Sequence, residues 1–152
     1  MIDILVFSKN QEQIHRWEKK LADYSINILL PLSESFTYKG VIAIIDETSY
    51  GKDIDKIINQ LKKQRIRILL LEKSPTYEKA KKHITIGVSG YGNLALSSEQ
   101  LNHAVKIIKD DLIWLSPEFS TELLQDKNQL DRDKEYKNVI ILSDEVISIM
   151  KI

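Results

Sequence analysis

A doubly wound α/β fold, a parallel sheet with helices on both faces, is predicted by three features of this sequence. Val41-Ile42-Ala43-Ile44-Ile45 is apolar without alternation and runs into a single carboxylate, Asp46. Such a strand is buried on both faces, as helix-covered parallel strands are. Further short apolar runs alternate with stretches of helical period, the pattern of repeated βα units. The composition, 152 residues with 43% hydrophobic and 29% charged, is that of one globular domain with a sizeable core.

Each element follows in order. Ile4-Leu5-Val6-Phe7 is a buried strand, and Ser8-Lys9-Asn10 is the turn at its carboxyl end. Asn10 caps a helix whose apolar stripe is Ile14, Trp17 and Leu21. Ile26 to Leu30 is a third apolar run, closed by Pro31, and only ten residues, Pro31 to Gly40, lead from it to the Val41 strand. That is short for a parallel crossover, so a shortened second crossover is expected. After Asp46, Ile54, Ile57, Ile58 and Leu61 mark one face of an amphipathic helix. Ile66 to Leu71 is the next strand, ending at Glu72, and Ser74-Pro75 opens the helix with Tyr77, Ala80 and Ile84 on its inner side. Gly87 is placed to end that helix. A short strand at Ser89 to Tyr91 precedes Ser97-Ser98-Glu99-Gln100, a capping box. The helix it opens carries Leu101, Ala104, Val105 and Ile108 on one face. Five strands alternating with helices give a flavodoxin-like sheet of order 2-1-3-4-5.

Composition also excludes functions. Twenty-two basic and 22 acidic residues cancel, so no net field draws the chain to nucleic acid or to an anionic membrane. The absence of cysteine rules out disulfides and thiolate chemistry. No basic segment followed by a long apolar one opens the chain, and no apolar run is long enough to span a bilayer, so a cytoplasmic protein is expected. His15, His83 and His103 fall on three different helices without shared spacing, and no metal site is expected from them. Gly87, Gly90 and Gly92 follow the wrong strand for a nucleotide-binding fingerprint. The basic run Lys62, Lys63, Arg65 and Arg67 is read as a solvated helix face.

Gly87-Val88-Ser89-Gly90-Tyr91, Ser98-Glu99-Gln100-Leu101-Asn102-His103-Ala104-Val105 and Leu112-Ile113-Trp114-Leu115-Ser116-Pro117-Glu118 resemble the receiver domain of a bacterial response regulator of the NarL/LuxR type. The resemblance covers roughly residues 2 to 124 and is specific in its carboxyl-terminal half. It implies an acidic pair after the first strand and an acceptor aspartate after the third, together holding a Mg²⁺. It further implies a hydroxyl after the fourth strand and a lysine after the fifth to bind the phosphoryl group. Asp46 keeps the acceptor position. The acidic pair falls on Ser8 and Lys9, the hydroxyl on Glu72, and the lysine near Asn93 or Leu94.

A Lys9 ammonium about 4 Å from Asp46 would attract it by about 4 kcal/mol at an effective dielectric near ~20, in competition with Mg²⁺. Mg²⁺ binding is therefore expected to be weak or absent, no other cofactor is implied, and Asp46 is not expected to be phosphorylated. The chain is read as a pseudo-receiver, not an enzyme, acting through a homodimer or another signalling protein. Its implied switch and interface residues are Tyr91, Tyr77, Leu101 and Val105. Plainer readings stand beside these. Asp46 caps the loop through the amides of Glu47 to Ser49, Lys9 and Glu72 are solvated and never meet, and Tyr91 is a half-buried ring. The second functional reading is a small α/β enzyme or ligand-binding domain using Asp46, Lys9 and Glu72 together.

Ser116-Pro117-Glu118 starts a short helix with Phe119, Leu123 and Leu124 inward. Residues 125–138 are dense in charge, a linker. Residues 139–152 form an apolar tail with a capped helix start, similar to the first helix of a LuxR-type helix-turn-helix domain. DNA would be reached only through an output domain that is incomplete in this chain.

Overall fold

The computed structural model describes residues 3–28, 42–130 and 139–141. The expected second crossover, residues 131–138 of the linker and the tail beyond 141 lie outside the described residues. In chain order the elements are β1 (Asp3–Phe7), α1 (Gln11–Lys20), β2 (Ser25–Ile28), β3 (Ile42–Asp46), α2 (Glu47–Tyr50) and, after a 3₁₀ turn, α3 (Ile54–Lys63). Then come β4 (Arg67–Glu72), α4 (Tyr77–Thr85), β5 (Gly90–Asn93), α5 (Ser98–Lys109), β6 (Ile113–Leu115), α6 (Ser120–Leu130) and β7 (Val139–Ile141). Among the described residues no helix is long and apolar enough to cross a membrane.

All strand pairs are parallel, in the order β2-β1-β3-β4-β5-β6-β7. The flavodoxin-like order 2-1-3-4-5 is present, extended on the β5 side by β6 and β7 to seven strands where five were expected. Residues 139–141 are thus strand, not the start of a helix. The helix α6 also runs to Leu130, so the expected linker begins inside a helix.

Successive strand residues point to opposite faces, which splits the core into two layers. Leu5, Phe7, Ala43, Ile45, Leu70 and Tyr91 pack with α3, α4 and α6. Ile4, Val6, Ile42, Ile44, Leu69 and Trp114 pack with α1 and α5. On that second side Gly90 and Gly92 stand where side chains would collide. A Cβ on Gly90 would lie 2.8 Å from Leu69 Cδ1, and one on Gly92 1.9 Å from Ser116 Oγ and 3.0 Å from Trp114 Cζ3. Gly90 makes room for Leu69 and Ile108, and Gly92 for Ser116 and the Trp114 side chain.

Helix ends follow local chemistry. The Asn10 side chain accepts from the amides of Glu12 and Gln13, and Ser97 with Gln100 forms the expected capping box. The cap of α4 is Thr76, not Ser74: its hydroxyl accepts from Lys79 N at 3.2 Å. Pro75 therefore precedes the cap and does not occupy the first helical position. Gly87, at φ 101°, takes the left-handed position just past the helix.

Candidate functional site

The carboxyl ends of β1, β3 and β4 meet at one edge of the sheet, with Phe7 opposite Ile45 and Asp46 opposite Leu71. Asp46 ends β3 and is 3% exposed. Its Oδ2 accepts two hydroxyls at 2.8 Å, from Ser8 Oγ and Ser49 Oγ. Each hydroxyl in turn accepts a backbone amide, Asn10 N on Ser8 at 3.0 Å and Lys9 N on Ser49 at 3.0 Å. Amides donate to the hydroxyls, and the hydroxyls make their shortest bonds to the carboxylate. No side-chain cap bond joins Asp46 to the amides of α2, so the loop-capping reading is replaced by this hydroxyl clamp. Asp46 Oδ1 is buried without a hydrogen-bond partner.

Lys9 does not enter the pocket. The residue is exposed, and its Nζ lies 5.3 Å from the centre of the Tyr50 ring. No ion pair joins it to Asp46 among the described residues. The expected Lys9–Asp46 contact is corrected: Ser8, fully buried, faces the carboxylate, and the next residue turns outward. The acid, base and cation cluster of the enzyme reading is therefore not assembled. Mg²⁺ takes near-octahedral oxygen ligands, commonly one or two carboxylates with several waters. In the clamp Asp46 supplies one carboxylate, and Ser8 brings a hydroxyl where the resemblance implies a second acid.

Glu72 is 4% exposed and pairs with Lys79, Nζ to Oε1 3.0 Å. The solvated alternative fails for Glu72 and holds for Lys9. Asn93 and Leu94 supply no cation where a lysine was implied. Asn93 Oδ1 accepts from Ala95 N at 2.8 Å, and Leu94 packs against the α1/α5 layer. Tyr91 is fully buried, not a half-buried ring, and its hydroxyl accepts from Thr76 N at 3.3 Å. Burial, followed by hydrogen bonding to Glu72, pushes its phenol well above the ordinary range. Leu101 and Val105, expected at an interface, are fully buried in the α1/α5 layer, while Tyr77 is partly buried against the opposite layer. Of those four, three are inaccessible to a second chain.

Sequence reasoning missed Ser49, Lys79, Glu47 and His83. Ser49 lies three residues beyond Asp46 across one helical turn, a spacing at which side chains meet. Lys79 and His83 are spaced i, i+4 on α4, and both turn toward the end of β4. His83 Nε2 lies 3.9 Å from Glu47 Oε1.

Tyr50 borders this site, and burial, with the Asp46 charge second, pushes its phenol up to about 12. A raised phenol pKa contributes stability that is full below about pH 10, where an ordinary tyrosine titrates, and lost as pH rises toward about 12. Tyr50→Phe is expected to be less sensitive than wild type over that window, by about 2 kcal/mol, in urea unfolding at stepped alkaline pH. Parallel losses in both proteins would contradict it.

Fold and site together define a flavodoxin-like α/β domain with a buried carboxylate at the strand ends. No protein-family model and no curated protein matches the sequence. Solved structures do. A response regulator, DrrB, from Thermotoga maritima, described as an OmpR/PhoB homolog, matches with a TM-score of 0.59 and 18% identity over 73% of this chain and 54% of its own. The chain thus spans about half the length of DrrB. A response regulator protein from Burkholderia pseudomallei, solved with a phosphorylated aspartic acid, calcium ion and citrate, matches with a TM-score of 0.58 and 17% identity over 84% and 86%. A putative pilus assembly-related protein from Burkholderia pseudomallei K96243 matches with a TM-score of 0.59 and 18% identity over 72% and 90%. These likenesses show that the chain has the fold of response-regulator receivers.

Proposed function

We propose that this chain is a pseudo-receiver: a signalling module of the two-component type that works without phosphorylation, by binding a second copy of itself or another signalling protein. A place in transcription regulation, with DNA contacted only through an output domain, and a cytoplasmic location belong to the same reading. The observation that carries it is the clamp on Asp46. A hydroxyl from Ser8 fills the place where the resemblance calls for a carboxylate, and both clamp hydroxyls are spent on one oxygen of Asp46. In the neighbouring pocket Glu72 sets a buried negative charge where a phosphoryl group would need a hydroxyl. Its compensating cation, Lys79, is already engaged.

Incubation of the chain with a small phosphodonor and Mg²⁺, followed by intact mass measurement, is expected to show no stoichiometric adduct. An adduct present in wild type and absent from Asp46→Ala would overturn the proposal.

A further inference from the structure

Beside the Asp46 pocket lies a second cluster that the receiver resemblance does not call for. Glu47 at the start of α2, Glu72 at the end of β4 and His83 on α4 each bring one ligand-type atom within 4.8 Å of the other two. His83 is 4% exposed, yet its Nδ1 has no hydrogen-bond partner and its Nε2 stops 3.9 Å from Glu47 Oε1. That gap is too long for a hydrogen bond. Glu47 Oε2 is also buried without a hydrogen-bond partner. A buried imidazole and a half-buried carboxylate that face each other without touching leave room for something between them. Zinc bonds of about 2.0–2.1 Å set tetrahedral ligand atoms roughly 3.3 Å apart. Closing the His83–Glu47 gap onto one ion therefore needs a shift of about half an ångström.

We propose that Glu47, Glu72 and His83 form a binding site for a first-row divalent cation of the zinc class. The donor set selects the ion: one imidazole with two carboxylates suits Zn²⁺, whereas Mg²⁺ and Ca²⁺ prefer oxygen alone. Three protein ligands leave a coordination position for water. The imidazole is in ligand form, because burial holds it below its ordinary range and hence neutral near pH 7. An open cleft of about 380 Å³, lined by Glu47, Thr48, Glu72, Lys73, Ser74 and Lys79, opens onto the two carboxylates, with His83 behind them. Lys79 now neutralises Glu72, and its side chain is 49% exposed, so it swings into water when a cation takes over. A bound ion would tie α4 to the ends of β3 and β4. The site stands on its own geometry and is independent of whether Asp46 accepts phosphate.

The test uses the full chain stripped of metal with a chelator, then titrated with Zn²⁺ against a chromogenic competitor, with Co²⁺ as an optical probe. Wild type is expected to bind one equivalent, and His15→Gln with His103→Gln, which removes the two exposed imidazoles, to bind it equally well. His83→Gln and Glu47→Gln are each expected to weaken binding by at least about tenfold, and Lys79→Met to strengthen it. Absence of saturable binding by wild type, or unchanged affinity in Glu47→Gln, overturns the site. Glu47 is only half-buried, so that variant decides the matter if His83→Gln fails to fold.

Discussion

Trp17→Ala is expected to lower the unfolding free energy by about 3–5 kcal/mol, the range for truncating a large aromatic in a packed core. Trp17 is 1% exposed and is the largest side chain that α1 sends into its layer, with Ile14 and Leu21 on either side. Ile14 belongs to the ten-residue α1 and Leu21 is its C-cap, and a helix of that length owes its stability to tertiary packing rather than to its own propensity. The cavity would open beneath the helix that follows directly on Ser8-Lys9-Asn10, so the Asp46 clamp should loosen with it. A domain of ordinary stability holds about 5–15 kcal/mol, so the variant keeps a folded state with a thin margin. Urea unfolding followed by circular dichroism measures the loss. A change below about 1 kcal/mol would show that Trp17 is not the anchor of α1.

Ser8→Asp is expected to cost about 2–4 kcal/mol in chelator at neutral pH, and millimolar Mg²⁺ should restore most of the loss. Ser8 Oγ lies 2.8 Å from Asp46 Oδ2 with both residues buried. A second carboxylate there would repel the first by about 4 kcal/mol at a separation of ~4 Å and an effective dielectric near ~20, less whatever side-chain movement relieves. A hydroxyl donor would be exchanged for an acceptor, so Asp46 would also lose a charge-assisted hydrogen bond. A divalent cation coordinated by both acids removes the conflict. Wild type, with a hydroxyl at that place, should gain no stability from Mg²⁺. Equal Mg²⁺ stabilisation of both proteins would mean that the natural pocket already holds the ion.

Most of the scaffold was legible because burial on two faces writes itself as uninterrupted Ile, Leu and Val. The core strands, the Asn10 cap, the Ser97 box and the turn at Gly87 all follow from such local signals. The misreadings have particular causes. The resemblance puts Lys9 at an acidic-pair position beside Asp46, but neighbouring residues at a strand end face opposite ways, and an ammonium stays in water unless it is fully paired. Ser8 turned inward in its place. Leu101 and Val105 were assigned to an interface by resemblance, although with Ala104 and Ile108 they make an i, i+3, i+4, i+7 stripe that packs against the sheet. Three-residue strands such as β6 and β7 cannot be distinguished from helical turns by periodicity. The Glu47–Glu72–His83 grouping joins three separate elements, and no spacing along the chain announces it.

Both indoles sit in the same layer: Trp17 and Trp114 belong to the α1/α5 side of the sheet, while His83, Tyr91 and Phe119 are grouped on the other side. Intrinsic emission is thus a one-sided reporter, sensitive to events beneath α1 and α5 and nearly blind to rearrangement of α4. Because the sequence contains no cysteine, a single thiol introduced at exposed Thr85 on α4 would carry a dye at one defined address and illuminate the dark half of the molecule.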